Sequence, residues 1–351
     1  MTDPSALLAS LGWTTARAGQ ADPADPADLL PARISEVHRD RLTAMSDRGS
    51  LTLALPQGIT TAEMAVGDWA LADPSGTLLV RRLPRETLLS RRAAGDVSRD
   101  QLIAANVDTA FLTSSCNADF NEARMERYLA LIHQGGIAPV ILLTKADQSG
   151  EGKAFLARAA AIAPDVPALA LNAKDPATRD RLAPWTGPGQ TVCFLGSSGV
   201  GKSTLANALT GLRLETGAIR EDDAKGRHTT TARALYPIPG GGWLIDTPGM
   251  RELRLSDVAE GLEITFADLE ALARDCRFGD CAHEREPGCA IRAAIAAGTL
   301  DEARLQRWQK LAREDEMNRA SAAELRARAR RFGKQTRDAG KHKKRWGDPE
   351  D

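Results

Sequence analysis

The chain lacks the features of a secreted, disulfide-linked or membrane-spanning protein. Its 351 residues include 5 cysteines, an odd number with three of them between residues 276 and 289. That pattern favours reduced thiols and a metal site over a disulfide framework. No apolar run approaches the roughly 20 residues that cross a bilayer, and the first residues lack a basic segment followed by an apolar core. We therefore expect a cytoplasmic protein that has no membrane partner.

Charge of one sign is also lacking. The 46 Lys and Arg residues nearly balance the 47 Asp and Glu residues, which leaves a net charge of -1 at pH 7. Overall charge therefore indicates no partner, and only its distribution along the chain can. A hydrophobic content of 42% and a charged content of 26% are typical of a globular protein. The length exceeds what one hydrophobic core usually holds, so several domains are expected.

Residues 196–203 are the stretch around which the chain is organised. They read Gly-Ser-Ser-Gly-Val-Gly-Lys-Ser, a phosphate-loop pattern, between an apolar run at 191–195 and a segment at 204–209 with helical spacing. The glycines let backbone N–H groups point at phosphate oxygens. Lys202 is expected to neutralise the β and γ phosphates, and Ser203 to bind magnesium. The predicted nucleotide contacts here are Gly196, Ser197, Ser198, Gly199, Val200, Gly201, Lys202, Ser203 and Thr204.

A second motif, Thr144-Lys-Ala-Asp, follows an apolar run at 139–143 and resembles the motif with which GTPases read guanine. The Asp147 carboxylate can accept hydrogen bonds from guanine N1–H and N2–H, a donor pair that adenine lacks. The Lys145 stem can lie along the purine face. Thr144, Lys145 and Asp147 are the predicted nucleotide contacts of this motif, although asparagine is commoner than threonine at the first position. The segment 172–174, Asn-Ala-Lys, is assigned to a backbone contact with the base.

Two stretches beyond the phosphate loop resemble the switches of GTPases. One of Thr229, Thr230 and Thr231 is expected to complete the magnesium shell, and Asp246 to hold the ion through water. The N–H of Gly249 is expected to contact the γ-phosphate. Because the base motif precedes the phosphate loop, whereas ordinary GTPases have it after the second switch, the domain is circularly permuted. Strands alternating with helices from residue 107 onward predict a parallel sheet with helices on both faces.

The N-terminal part begins with an unusual composition. Residues 1–31 carry Ala-Asp-Pro twice and predict a flexible arm. The alternative is a short helix that carries Leu7, Leu8, Leu11 and Trp13 and docks on an unspecified surface.

The texture then changes to short alternating runs at 33–37, 51–55, 68–72 and 77–80, which predict a small all-β barrel such as an OB-fold. Five arginines follow with Glu86 as the one acid among them, and a phosphate-facing surface and an ordinary solvated face are equally open interpretations. These arginines are Arg81, Arg82, Arg85, Arg91 and Arg92.

The C-terminal part contains three thiols and one imidazole within fourteen residues. Four soft ligands fit tetrahedral zinc and leave no position for water, so one structural zinc per chain is expected. Buried cysteines with a surface histidine are the alternative. The predicted ligands are Cys276, Cys281, His283 and Cys289.

The end of the chain is strongly basic. From residue 319 to 346 eleven basic residues accompany two acidic ones, which indicates a polyphosphate partner, with RNA the natural candidate.

The permuted motifs, the N-terminal barrel, Gly-Arg-His-Thr-Thr at 226–230 and the Cys-x4-Cys-x-His-x5-Cys spacing resemble the ribosome small-subunit-dependent GTPase A family, RsgA or YjeQ, over residues 32–346. The resemblance implies an OB-fold domain, a GTPase domain and a mostly helical zinc domain. It also implies binding to the small ribosomal subunit and its 16S rRNA, late subunit maturation, and GTP hydrolysis stimulated by the subunit. We expect a monomer with an arm at 1–31 and domains at 32–92, 93–260 and 261–351.

The chemistry leaves two rival functions and one open residue role. A metabolic ATPase or kinase is opposed by Asp147, and a zinc-containing RNA-binding module with a regulatory, non-catalytic nucleotide site is opposed by the intact Lys202 and Asp246. Met250 stands where many GTPases have a glutamine that orients the attacking water, so slow intrinsic turnover is expected. His228 is the candidate replacement. Packing or an rRNA contact is the alternative role of His228.

Overall fold

The computed structural model describes residues 4–92, 100–214, 233–246 and 258–320. The chain divides into two compact units, described separately below. The first comprises Met1–Arg91, Gln101–Leu253 and Glu260–Ala267, and the second comprises Arg92–Asp100, Arg254–Ala259 and Asp268–Asp351. None of the helices in the described ranges combines the length and apolar character needed to cross a bilayer.

Five strands near the N-terminus form a small barrel in the first unit. They are β1 (Leu30–Val37), β2 (Leu42–Ser46), β3 (Gly49–Leu53), β4 (Trp69–Ala72) and β5 (Leu79–Arg82). β1 pairs antiparallel with β2 and β4, β2 with β3, and β4 with β5. A parallel bridge between Ala54 and Leu78 joins the end of β3 to the start of β5. The strands therefore close in the order β1-β2-β3-β5-β4 around a buried apolar core.

The other six strands of the large sheet carry the predicted nucleotide motifs. They are β8 (Thr109–Ser115), β9 (Ala138–Thr144), β10 (Ala168–Ala170), β11 (Thr191–Leu195), β12 (Ala234–Pro237) and β13 (Trp243–Asp246). Their order is β10-β9-β8-β11-β13-β12. All neighbours are parallel except β12 and β13. A separate two-stranded ribbon is formed by β6 (Leu88–Arg92) and β7 (Asp100–Ala105).

The barrel and the nucleotide-motif strands share one continuous sheet. Glu36 of β1 is paired with Ala234 of β12, and Ala234 is in turn paired with Asp246 of β13. Directly paired residues in antiparallel strands lie on the same face of a sheet. The barrel therefore joins the nucleotide sheet at the level of Asp246.

The helices of the described residues pack on this sheet and in the second unit. Those of the first half are α1 (Pro4–Ser10), α2 (Thr15–Ala18), α3 (Glu122–Gln134), α4 (Ala146–Ser149) and α5 (Gly152–Ile162). Those of the second half are α6 (Thr178–Leu182), α7 (Lys202–Thr210), α8 (Ala259–Thr265), α9 (Ala267–Arg274) and α10 (Ala290–Ala296). α3 packs on β8 and β9, and α7 on β11 and β13. Val140 and Leu142 join the core cluster that contains α7, while the alternating Ile141 and Leu143 are also buried, so the sheet is covered on both faces.

Residues 4–18 are not the loose arm that their composition predicted. They form α1 and α2, as in the docking-helix alternative, and Leu11 is 1% exposed. The ring of Trp13 lies 4.9 Å from that of Trp69 in the barrel. The buried Arg33 donates to the Leu11 carbonyl at 2.5 Å. The arm is ordered because it supplies apolar surface and a carbonyl acceptor to a buried arginine, which composition cannot reveal.

The second unit has a helix at residues 302–320 and the helices α9 and α10. The Arg304 guanidinium donates twice to the Asp268 carboxylate, at 2.8 Å each. Asp315 is fully buried and accepts from the Val258 N–H at 3.0 Å. Since Val258 directly precedes α8, this carboxylate caps the start of that helix.

Candidate functional site

The predicted nucleotide motifs meet at one edge of the sheet. The strands β8 to β11 and β13 are parallel, so their carboxyl ends share an edge. In open α/β sheets this edge is where ligands bind. The base motif begins at the end of β9, the phosphate loop at the end of β11, and Asp246 ends β13.

The phosphate loop has the backbone that its glycines allow. Gly196, Gly199 and Gly201 have φ values of 140°, 78° and 100°, which side-chain-bearing residues rarely adopt. A Cβ atom on Gly196 would lie 2.1 Å from the Thr113 carbonyl oxygen. Gly201 directly precedes α7, so the loop ends at a helix N-terminus whose N–H groups favour an anion.

The two polar residues at the start of α7 lie where the sequence placed them. The Lys202 ammonium donates to the Gly196 carbonyl at 2.7 Å and to the Ser197 carbonyl at 2.5 Å. Ser203 follows on the same first turn, and both side chains are partly accessible. The loop therefore folds around a cation, as a phosphate site requires.

Thr144 connects the base motif with the phosphate loop. Its side chain is 0% exposed, and its hydroxyl lies 2.5 Å from the Val200 carbonyl and 3.2 Å from the Ser114 carbonyl. The hydroxyl therefore connects the base motif with the phosphate loop and with the end of β8.

The rest of the base motif faces the same edge. Lys145 has a left-handed backbone, with φ 58°, and begins α4, on which Asp147 is exposed. A cleft of about 510 Å³ is lined by Lys145, Phe155 and the loop at 116–118. Lys145 of the base motif thus contributes to the wall of the cleft, and Asp147 does not.

The Asn172-Ala-Lys174 segment lies close to the base motif. Strand β10 pairs with β9, and the Ala146 N–H lies 3.4 Å from the Leu171 carbonyl. The Asn172 side chain accepts from the Lys174 N–H at 2.9 Å, which shapes a tight turn. Two adjacent loops thus frame the space expected for a base.

Two residues at the phosphate loop were not predicted from the sequence. Arg124 Nη1 lies 2.5 Å from Ser197 Oγ, and the Tyr128 hydroxyl is close enough to the Ser197 side chain for that side chain to favour a lower Tyr128 pKa. Burial raises the pKa of Tyr128, which keeps its hydroxyl protonated. Arg124 and Tyr128 are four residues apart, and this spacing places two side chains on the same face of a helix such as α3. The spacing was the only sequence signal for their shared location, and it does not by itself indicate the phosphate loop.

The switch residues are described only in part. Asp246 ends β13 near Tyr236, whose pKa is raised by burial and then by the Asp246 charge. The predictions for His228, Thr229, Thr230, Thr231, Gly249 and Met250 lie outside the described residues.

The four predicted zinc ligands come together in the second unit. The ligand atoms of Cys276, Cys281, His283 and Cys289 all lie within 4.8 Å of one another. His283 Nδ1 lies 3.6 Å from the Cys276 sulfur and 3.5 Å from the Cys289 sulfur, and the two sulfurs are 3.9 Å apart. Tetrahedral zinc with ordinary bond lengths separates sulfur from nitrogen by about 3.6 Å and sulfur from sulfur by about 3.8 Å. The donor set therefore fits zinc in both chemistry and spacing.

The surroundings of this cluster support a ligand role. The pKa of Cys276 is lowered, because hydrogen bonds from the Ala290 and Ile291 N–H groups at the start of α10 outweigh the opposing effect of desolvation. The Trp308 ring lies 5.7 Å from that of His283 and covers it. A buried histidine beside three thiols suits a structural metal site.

Comparison with known proteins bears on the same features. A sequence model of the family described as RsgA GTPase matches residues 82–256. A small ribosomal subunit biogenesis GTPase RsgA from Mesorhizobium japonicum is 52% identical over 322 residues, which cover 91% of this chain and 92% of that protein. The chain belongs to the RsgA GTPase family. An RsgA 2 protein from Vibrio parahaemolyticus is 46% identical over 94% of this chain and 92% of its own length.

Solved structures agree with the RsgA fold. YjeQ from Thermotoga maritima superposes with a TM-score of 0.61 at 23% identity, covering 81% of this chain and 97% of that one. YloQ, described as a circularly permuted GTPase, superposes with a TM-score of 0.59 at 20% identity, covering 88% and 99%. The permuted order predicted from the motifs is confirmed, since the base-motif strand β9 precedes the phosphate-loop strand β11.

Three of the five clustered arginines of this RsgA chain bind other residues of the same chain. Arg85 donates to both oxygens of the buried Asp68, at 2.6 and 2.8 Å. Arg81 pairs with Asp25 in the Ala-Asp-Pro segment. Arg91 bonds Gln101 at 3.0 Å. Of the two interpretations left open, these contacts disfavour a free phosphate-facing surface at these three residues.

Proposed function

We propose that this member of the RsgA GTPase family hydrolyses GTP and acts in the biogenesis of the small ribosomal subunit. The observation that carries the proposal is the meeting of base motif, phosphate loop and Asp246 at one sheet edge. Membership of a family whose relatives are named small ribosomal subunit biogenesis GTPases supports the biological role.

Guanine selection is assigned to the end of β9. The exposed Asp147 accepts from guanine N1–H and N2–H, and the Lys145 stem lies along the base. The neighbouring loop at Asn172 offers backbone groups to the same base. Thr144 is assigned to the nucleotide site as well, and its hydroxyl also holds this motif against the phosphate loop.

Phosphate binding is assigned to residues 196–204 and to Asp246. Lys202 exchanges its two loop carbonyls for phosphate oxygens when a nucleotide binds. The residues fit magnesium, since Ser203 supplies a hydroxyl and Asp246 a carboxylate at the same edge, with Thr229 or Thr230 from the first switch. When bound there, magnesium would neutralise phosphate charge.

Water activation is assigned to His228, because Met250 has no group that could hold a water. A histidine can accept a proton or hydrogen bond near neutral pH. Gly249 is assigned to the γ-phosphate. Docking on the ribosomal subunit accelerates an otherwise slow reaction.

The C-terminal cluster is proposed to hold one structural zinc. Four protein ligands complete a tetrahedron and leave no open position for catalysis. The metal then stabilises a segment with little apolar core of its own.

Binding to 16S rRNA is assigned to the barrel and to the basic C-terminal segment. The strand order β1-β2-β3-β5-β4, with the parallel closure of β3 on β5, supports an OB-fold for residues 32–92. Arg39 and Arg41 are exposed in the β1–β2 loop, in contrast to Arg85. We propose a cytoplasmic monomer with the GTPase domain at 93–260 and the zinc domain at 261–351.

The test compares hydrolysis of GTP and ATP by the full chain, with and without purified small subunits. We expect GTP turnover that the subunits raise, and ATP turnover near background. The Asp147→Asn variant should lose GTP affinity by about 2–4 kcal/mol and gain xanthine nucleotide, because an acceptor becomes a donor. Subunit binding without GTP turnover would instead favour a non-catalytic nucleotide site.

His228 is tested in the same assay. His228→Ala should keep GTP affinity and subunit binding while losing most of the stimulated rate. Full stimulation in that variant would transfer the role to another group.

A further inference from the structure

We propose that Arg124 and Tyr128 on α3 are positioning residues for the nucleotide site and act through Ser197 of the phosphate loop. The inference rests on the proposed GTPase function and deepens it. Neither residue belongs to a nucleotide motif, and no contact between either residue and the nucleotide is required.

Both residues hold the same loop position. Arg124 Nη1 lies 2.5 Å from Ser197 Oγ and 3.2 Å from Asp119 Oδ1, and the buried Tyr128, one turn further along α3, lies near the Ser197 side chain. The Ser197 carbonyl meanwhile accepts from the Lys202 ammonium. Ser197 is thus fixed through both its side chain and its main chain.

The loop needs such an external hold. Gly196 and Gly199 flank Ser197 and carry no side chains that could stiffen it. A loop that is already ordered loses less conformational entropy when it binds phosphate, and therefore binds more tightly. The Arg124 guanidinium also adds positive charge beside a site for a polyanion.

The other end of α3 contacts the helix that follows the second switch. Gly261 of α8 donates to the Gln134 side chain at 3.0 Å, and a Cβ atom on Gly261 would lie 1.9 Å from the Ala130 carbonyl oxygen. His133 Nδ1 lies 3.0 Å from Thr265 Oγ1. Helix α3 therefore contacts the phosphate loop near its start and α8 near its end.

The test measures GDP affinity with a fluorescent analogue, and kcat and KM for GTP, in the full chain. Arg124→Ala should weaken GDP binding and raise KM by about fivefold, with kcat changed by less than about twofold, since a partly exposed charged hydrogen bond is lost. Arg124→Lys should recover part of the loss, and Tyr128→Phe should show a smaller change of the same kind. Arg179→Ala is the matched control, because Arg179 bonds the Pro239 carbonyl away from the nucleotide edge.

A double-mutant cycle separates positioning through Ser197 from a general structural role. If Arg124 acts through Ser197, Arg124→Ala with Ser197→Ala should cost no more than the larger single change. Additive costs, or wild-type GDP affinity in Arg124→Ala with an unchanged melting temperature, would overturn the inference. GDP affinity remains measurable in a chain that fails to hydrolyse GTP. Failure of the positioning role of Arg124 and Tyr128 can therefore be distinguished from failure of the proposed GTPase function.

Discussion

Replacement of Thr144 by valine tests whether the base motif and the phosphate loop are mechanically joined. Valine keeps the shape of threonine and removes only its hydroxyl. That hydroxyl lies 2.5 Å from the Val200 carbonyl and 3.2 Å from the Ser114 carbonyl, at a position 0% exposed. A hydroxyl has one proton, so one hydrogen bond is lost and one buried carbonyl is left without a donor, at a cost of about 1–3 kcal/mol.

The assay separates the global from the local part of this cost. Urea unfolding should show a destabilisation of about 1–2 kcal/mol, and GDP affinity should fall by up to about tenfold, because each 1.4 kcal/mol is a factor of ten. Thr186→Val is the matched control, since Thr186 is buried and donates to the Leu182 carbonyl at 3.2 Å. It should destabilise the fold and leave GDP affinity unchanged. Equal GDP affinity in Thr144→Val and the wild type would refute the idea that the Thr144 hydroxyl couples the base motif to the phosphate loop.

Three further predictions concern other parts of the chain. Cys281→Ser should lower the zinc content from about one per chain toward zero while nucleotide binding persists, as metal analysis and GDP titration would show. Burial lowers the pKa of His133, so the folded state binds fewer protons than the unfolded state. Its stability contribution should be lost as pH falls below the ordinary value of about 6.5, and urea midpoints between about pH 7 and pH 5 should fall less in His133→Gln. Asp25→Asn should remove the shorter of the two ion pairs of Arg81, whose other partner Asp22 lies at 3.7 Å, and tighten binding of single-stranded RNA about two- to threefold at low salt, a gain that Arg81→Ala should cancel.

The motifs with short spacing were readable from the sequence for a chemical reason. The phosphate loop needs glycines at left-handed positions directly after a strand and before a helix, and those requirements fall within about a dozen consecutive residues. The zinc ligands are similarly contained in 276–289. Local backbone conformation and the ligand set are both encoded by neighbours in the chain.

The strands of the barrel could be predicted from the sequence only in part. Four of its strands were expected from alternation and turn residues, but β2 was not, because Leu42-Thr-Ala-Met-Ser contains few strongly β-favouring side chains. β2 forms nonetheless, since pairing with β1 and β3 satisfies its backbone and buries Leu42 and Ala44. Partners far along the chain override weak local preference.

The sequence by itself therefore determined a phosphate loop, a Thr-Lys-x-Asp motif, a permuted order and a Cys3His cluster with the spacing of a metal site. Only the tertiary structure decided which charges are free and which are paired. Arg85 is bound by Asp68, Arg81 by Asp25, and Arg124 by Ser197, 73 residues away in the chain. Such partners are chosen by packing and by the cost of burying an unpaired charge, which depend on the fold as a whole and not on neighbouring residues.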